Sequence, residues 1–196
     1  MLKLVFGMAL SLALVAGTAL AGGYGKTNWG MGLKQVKTLY PGGLVENGDD
    51  GVVRYRVIAE VASCPGALLQ FEFKAGTLKS VYAVFPKPGT VVTLEKDGRP
   101  EYQMPTVEEA RDLYERIRTG LTVKYGASRK SSVAEAKDPV TLLKQDFRVD
   151  VWIPNGSLCV RLADRFMPKG EPSKPELAMM VYVQYTDCIA AATEGL

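Results

Sequence analysis

A period-two alternation of apolar and polar residues restricts the fold of this chain more than any other feature of its sequence. Val53, Tyr55, Val57, Ala59 and Val61 alternate with Arg54, Arg56 and Glu60, and Leu69, Phe71 and Phe73 alternate with Gln70, Glu72 and Lys74. Leu78 to Phe85 adds a third strand. The pattern returns at Phe147, Val149, Val151 and Ile153, at Leu158, Val160 and Leu162, and at Leu177, Met179, Val181, Val183 and Tyr185. Successive side chains of a strand point to opposite faces, so these segments predict an antiparallel sheet that is covered on one face and polar on the other.

Two helices supply the cover. Leu33, Val36, Leu39 and Tyr40 recur at helical spacing until Pro41-Gly42-Gly43 stops them. The stronger helix runs from Thr106 to Tyr125. Thr106 and Glu109 form a capping box, in which the hydroxyl accepts from the Glu109 N–H and the carboxylate reaches back to the Thr106 N–H. Ala110, Leu113, Tyr114, Ile117 and Leu121 make its apolar stripe, and Gly126 suits the left-handed residue that ends a helix. Capping explains Glu108 and Glu109 without an acid/base role.

Between these elements lie expected turns. Glu46 to Gly51 carries oxygen ligands, but not at calcium-loop spacing, and reads as a turn. Ser63-Cys64-Pro65-Gly66 turns the chain again. Pro86 to Pro105 connects, with a weak hairpin signal at Asp97-Gly98 and an edge-strand signal at Pro100. Asp138-Pro139 opens a short helix through Gln145, and Asp164 to Glu176 reads as a charged loop. Asn155-Gly156 fits a two-residue type I′ turn, which would set Trp152 opposite Cys159 and Asp150 opposite Arg161. The sum is an α+β two-layer sandwich: an antiparallel sheet with two main helices on one face, in two halves that each run helix, strand, strand, strand.

The N-terminus sets the compartment. Lys3, an apolar run from Leu4 to about Val15 and Ala19-Leu20-Ala21 match a secretory signal peptide cleaved after residue 21. The run is shorter than the roughly 20 residues a spanning helix needs, and no Cys follows Ala21, so no membrane anchor remains after cleavage. The expected organisation is a signal peptide over 1–21, a flexible N-terminus over 22–32, one α/β domain over 33–188 and a tail over 189–196. The location is periplasmic or secreted. Gly25-Lys26-Thr27 lacks the first glycine of a phosphate loop, because Leu20 occupies its place.

Composition closes several functions. The chain has no His, which excludes Ser-His-Asp and Cys-His nucleophile pairs and histidine-bearing metal sites. Cleavage removes Lys3 and no acid, leaving a charge one unit below the +3 of the whole chain. That balance, without a basic cluster, argues against nucleic acid as a partner. No cofactor or metal is expected. The absence of C-x-x-C argues against a thioredoxin-type role, and three Cys predict one disulfide in an oxidising compartment, with Cys159 and Cys188 the preferred pair because they share a face.

Trp29-Gly30-Met31, then Val36-Lys37-x-Leu39-Tyr40-Pro41, Phe71-x-Phe73-x-x-Gly76-x-Leu78 and Lys124-Tyr125-Gly126 resemble uncharacterised exported bacterial proteins. Their layout is similar to that of the β-lactamase inhibitor protein and of the small lipoprotein of outer-membrane assembly. The resemblance implies a non-enzymatic binding role, although the lipidated Cys of the assembly lipoprotein is missing here.

Strand parity names the surface for such a role. It sets Arg54, Arg56, Glu72, Arg148, Asp150, Trp152, Arg161, Met180 and Tyr182 on the open face, and Arg, Trp and Tyr are the residues enriched at binding hot spots. Arg54, Arg56, Arg148, Trp152, Arg161 and Tyr182 are the candidate contacts for an envelope protein partner. The oligomeric state stays open. The alternative is a histidine-independent hydrolase with a carboxylate pair, for which Asp150 and Glu72 are the residues to substitute.

Overall fold

A computed structural model describes residues 23–137, 144–169 and 176–188. The expected signal peptide over 1–21, the core of the expected helix at Asp138 and the tail over 189–196 lie outside these residues.

The chain forms α1 (Leu33–Leu39), β1 (Leu44–Asn47), β2 (Val52–Val61), β3 (Cys64–Lys74), β4 (Thr77–Phe85), β5 (Thr93–Leu94) and β6 (Pro100–Glu101). Then follow α2 (Val107–Tyr125), β7 (Lys130–Lys137), β8 (Lys144–Asn155), β9 (Leu158–Lys169) and β10 (Glu176–Asp187). Eight strands make one antiparallel sheet in the order β1-β2-β3-β4-β10-β9-β8-β7, while β5 and β6 form a separate hairpin. Two meanders thus meet where β4 pairs with β10, Val183 lying opposite Ala83.

Both helices lie on one face. Val36 of α1 and Ala110, Leu113, Tyr114, Ile117 and Leu121 of α2 share one buried cluster with Tyr55, Phe71, Val81, Val160, Leu162, Val183 and Tyr185. The capping box of α2 forms as expected, with the Glu109 N–H donating to the Thr106 hydroxyl at 3.3 Å and the Thr106 N–H donating to the Glu109 carboxylate at 2.9 Å. Gly126 ends the helix at φ 82°.

Several expectations change. Residues 23–32 are held against the core rather than free: Tyr24 packs 4.5 Å from Tyr185 between ring centres, Trp29 Nε1 donates to the Ser157 carbonyl at 3.3 Å, and backbone bonds tie Gly30 and Met31 to Leu78. Three large apolar side chains, Tyr24, Trp29 and Met31, outweigh the local glycines. Leu44–Asn47 is an edge strand, so the turn occupies only residues 48–51. The β2–β3 turn is Ala62-Ser63, both at positive φ, and Cys64 already pairs with Val61. Lys130–Lys137, where the sequence assigns no element, is a strand, Lys144–Gln145 is strand rather than the end of a helix, and β9 and β10 continue through much of the expected charged loop. Long hairpins satisfy their own backbone groups, and that overrides the weak local signals of charged residues.

Candidate functional site

The sheet face away from the helices carries a groove. Register alone assembles its floor: Arg56 is opposite Gln70, Gln70 opposite Tyr82, Tyr82 opposite Gln184 and Gln184 opposite Arg161, one residue from each of five strands. Directly opposed residues share a face, so this row stands on the open side. The connection between β4 and α2 makes a wall, with Pro100 and Tyr102 lining a volume of about 550 Å³. Arg56 anchors that wall by donating from Nη1 to the Gly98 carbonyl at 2.8 Å. Gly98 is at φ +85°, and a Cβ there would stand 3.1 Å from the Val45 carbonyl, so glycine lets the hairpin approach β1.

Charge is distributed unevenly. At the β2–β3 end, Arg54 meets Asp50 and Glu72, Glu72 accepts from Gln70 at 2.8 Å and from Ser80 at 2.9 Å, and Arg56 Nε donates to Gln70 at 2.7 Å. Glu46 completes the row as the ion partner of Arg56. Each of these charges has an opposite partner there. At the β9 end, Arg161 and Arg165 have no ion pair among the described residues, and Arg161 Nε is buried without a hydrogen-bond partner. Between the two ends, Gln184 Nε2 donates to the Tyr82 hydroxyl at 2.9 Å, and the Tyr82 and Tyr182 rings lie 6.4 Å apart. Burial raises the Tyr102 hydroxyl above its ordinary range, against a smaller lowering by Arg56.

Four of the six expected contact residues, Arg54, Arg56, Arg161 and Tyr182, lie on this face. Arg148 and Trp152 do not, and Asp150 goes with them. Trp152 is 1% exposed within the core and donates from Nε1 to the Gly126 carbonyl at 2.9 Å. Asp150 accepts from the Tyr114 hydroxyl at 2.9 Å and pairs with Arg118 Nε at 3.0 Å. Arg148 stacks 4.1 Å from the Tyr114 ring centre and pairs with Asp164 at 3.1 Å and Glu115 at 2.8 Å. The Tyr114 hydroxyl is held well above its ordinary value, first by burial and then by the Asp150 charge. This is a polar latch between α2 and the sheet.

The reversal has a physical cause. The hairpin closes at Asn155 opposite Leu158, with a register shift between Trp152 and Asn155 that sets Trp152 opposite Val160 and Asp150 opposite Leu162. One residue of slip exchanges the two faces of a strand. Asn155 supports the altered turn by accepting from the N–H groups of Ser157 and Leu158 at 3.2 and 2.9 Å. The polar flank of α2 then receives the residues that alternation alone assigns outward. Glu72 and Asp150 consequently stand on opposite faces and form no pair.

Cys159 and Cys188 come together on the open side at one end of the sheet as free thiols, 4.2 Å apart. Burial, and then the Cys159 neighbour, push the Cys188 thiol up to about 11. Cys64 is also free, beside Arg116, with burial raising its thiol. Among the described residues, no group of three or more His, Cys, Asp or Glu is placed to hold a metal ion.

Residues outside the expected list complete the groove. Gln70, Tyr82 and Gln184 follow from parity once the strands are aligned. Arg165 falls in a segment that reads as loop, and Tyr102 in a connection without periodicity. No family model, curated protein or solved structure matches the chain.

Proposed function

We propose that the chain is exported, loses residues 1–21 and serves in the periplasm or outside the cell as a non-enzymatic binding module. Its partner is an envelope protein, received on the open face of the sheet. The observation that carries this reading is the walled groove in which Arg161 and Arg165 lack counter-charges among the described residues, while every other ionised side chain of the lining is paired. A volume of about 550 Å³ is within the usual range for ligand sites. The reading takes the two halves, each a helix followed by strands, as copies of one plan joined at β4 and β10, so that the groove straddles their junction. In the oxidising compartment, Cys159 and Cys188 close as a disulfide by exchange with an oxidised protein dithiol, which leaves as two thiols.

Affinity capture from an envelope extract tests the reading, with Tyr182→Arg obstructing the groove floor. Expected is a partner retained by the wild type and lost by that variant. Recovery of the same partner at undiminished yield would remove the groove from consideration. Trp152→Ala is unsuitable as a probe of binding, because its loss would report on folding. Intact mass of the exported protein tests cleavage, with Gly22 expected as the first residue.

A further inference from the structure

We infer that the groove receives an extended acidic polypeptide segment, with two carboxylates four residues apart set against Arg161 and Arg165. This rests on the groove being the binding site, and it adds the chemistry of the partner. The two arginines share the open face of β9, four residues apart, which at the rise of a strand is about 13 Å. That is the backbone spacing, and a single small anion meets both guanidinium groups only if the two side chains converge over Ala163. An extended peptide has the same rise, so its side chains at positions i and i+4 match both cations at once.

What lies between the arginines fits a backbone. Ala163 is 2% exposed and offers no bulk, and Tyr182 stands opposite it on β10. Gln184 lies opposite Arg161 and Met180 opposite Arg165, so each cation has a neighbour of different character, an amide at one end and a thioether at the other. The missing partner of Arg161 Nε is supplied by a carboxylate, which takes a guanidinium side-on through two parallel hydrogen bonds.

Glu72 decides against a continuous polyanion. It lines the same groove three strands from β9, about 14 Å across the sheet. A nucleic-acid strand carries a charge about every 3.4 Å and would bring phosphates toward this carboxylate. A peptide with two spaced acids meets the two arginines and leaves Glu72 to its own partners, Arg54, Gln70 and Ser80.

The test uses fluorescence anisotropy with labelled ten-residue peptides of alternating polar sequence that carry Glu at i and i+4. Saturable binding is expected, weakened about tenfold or more when either Glu becomes Gln or when the second is moved to i+1, as loss of a charged hydrogen bond requires. Arg161→Glu and Arg165→Glu should each cost the same factor, and the doubly reversed protein should instead bind the peptide with Lys at both positions. Circular dichroism of each variant establishes that it is folded, and the charge-swapped recovery separates recognition from folding. No binding by the acidic peptide up to millimolar concentration, binding indifferent to both reversals, or tighter binding of single-stranded DNA at equal salt would overturn the inference. An envelope partner released by Tyr182→Arg but retained by both arginine reversals would sink the acidic segment and leave the groove reading standing.

Discussion

Replacing Trp152 with alanine separates the two assignments of β8 most sharply. The indole is 1% exposed, sits in the cluster shared by α2 and the sheet, and donates to the Gly126 carbonyl at the end of the helix. Truncating a buried Trp costs about 3–5 kcal/mol, from lost burial and the cavity left behind. That is a large part of the roughly 5–15 kcal/mol that holds a domain folded. In a domain of this size each kcal/mol lowers the melting temperature by about 2–4 °C, so a fall of about 6–20 °C is expected. Trp152→Phe keeps most of the apolar volume and loses the hydrogen bond, for a cost of about 1–2 kcal/mol. Tyr182→Ala, at a half-buried position on the open face, should cost about 1 kcal/mol. Urea titration of the three variants against wild type, with a common slope, gives the comparison. A Trp152→Ala loss as small as that of Tyr182→Ala would refute the placement of β8, and with it the composition of the groove.

Other consequences follow from the latch and the titrating groups. Asp150→Ala strips the buried Tyr114 hydroxyl and the part-exposed Arg118 of their acceptor and should cost about 1–3 kcal/mol in urea unfolding, against about 1 kcal/mol for Tyr114→Phe. A double-mutant cycle should then return a coupling of about 1 kcal/mol or more, whereas additivity would mean the contact carries nothing. Tyr24, Tyr114 and Tyr185 are all raised above 10.0, burial being the largest cause, so the native state keeps protons that the unfolded chain releases above that pH. Their contribution is complete below pH 10 and is lost as the pH climbs toward the folded values; Tyr114→Phe should make the alkaline decline of the melting temperature shallower. On oxidation, non-reducing peptide mapping should find Cys159 joined to Cys188 and Cys64 unpaired, with a gain of up to about 3–4 kcal/mol in the chain-entropy account. A bridge containing Cys64 would contradict the geometry.

Much of this was written locally. A capping box, an apolar stripe at helical spacing and a C-terminal glycine define α2, because each acts within a few residues of itself. Alternation defines the cores of β2, β3, β4, β9 and β10, because the pleat has a fixed period. The open-face positions of Arg54, Arg56, Arg161 and Tyr182 follow from that period. The face of β8 was not legible. Arg148, Asp150 and Trp152 look outward beside Val149 and Val151, and only the register shift before Asn155, with Tyr114, Glu115 and Arg118 waiting on α2, turns them inward. Tyr102 and Arg165 join the groove through chain that carries no periodic signal. Local physics chose the elements, and tertiary structure decided which side chains met, since a slip of one residue or a docked hairpin changes a face without changing a single propensity.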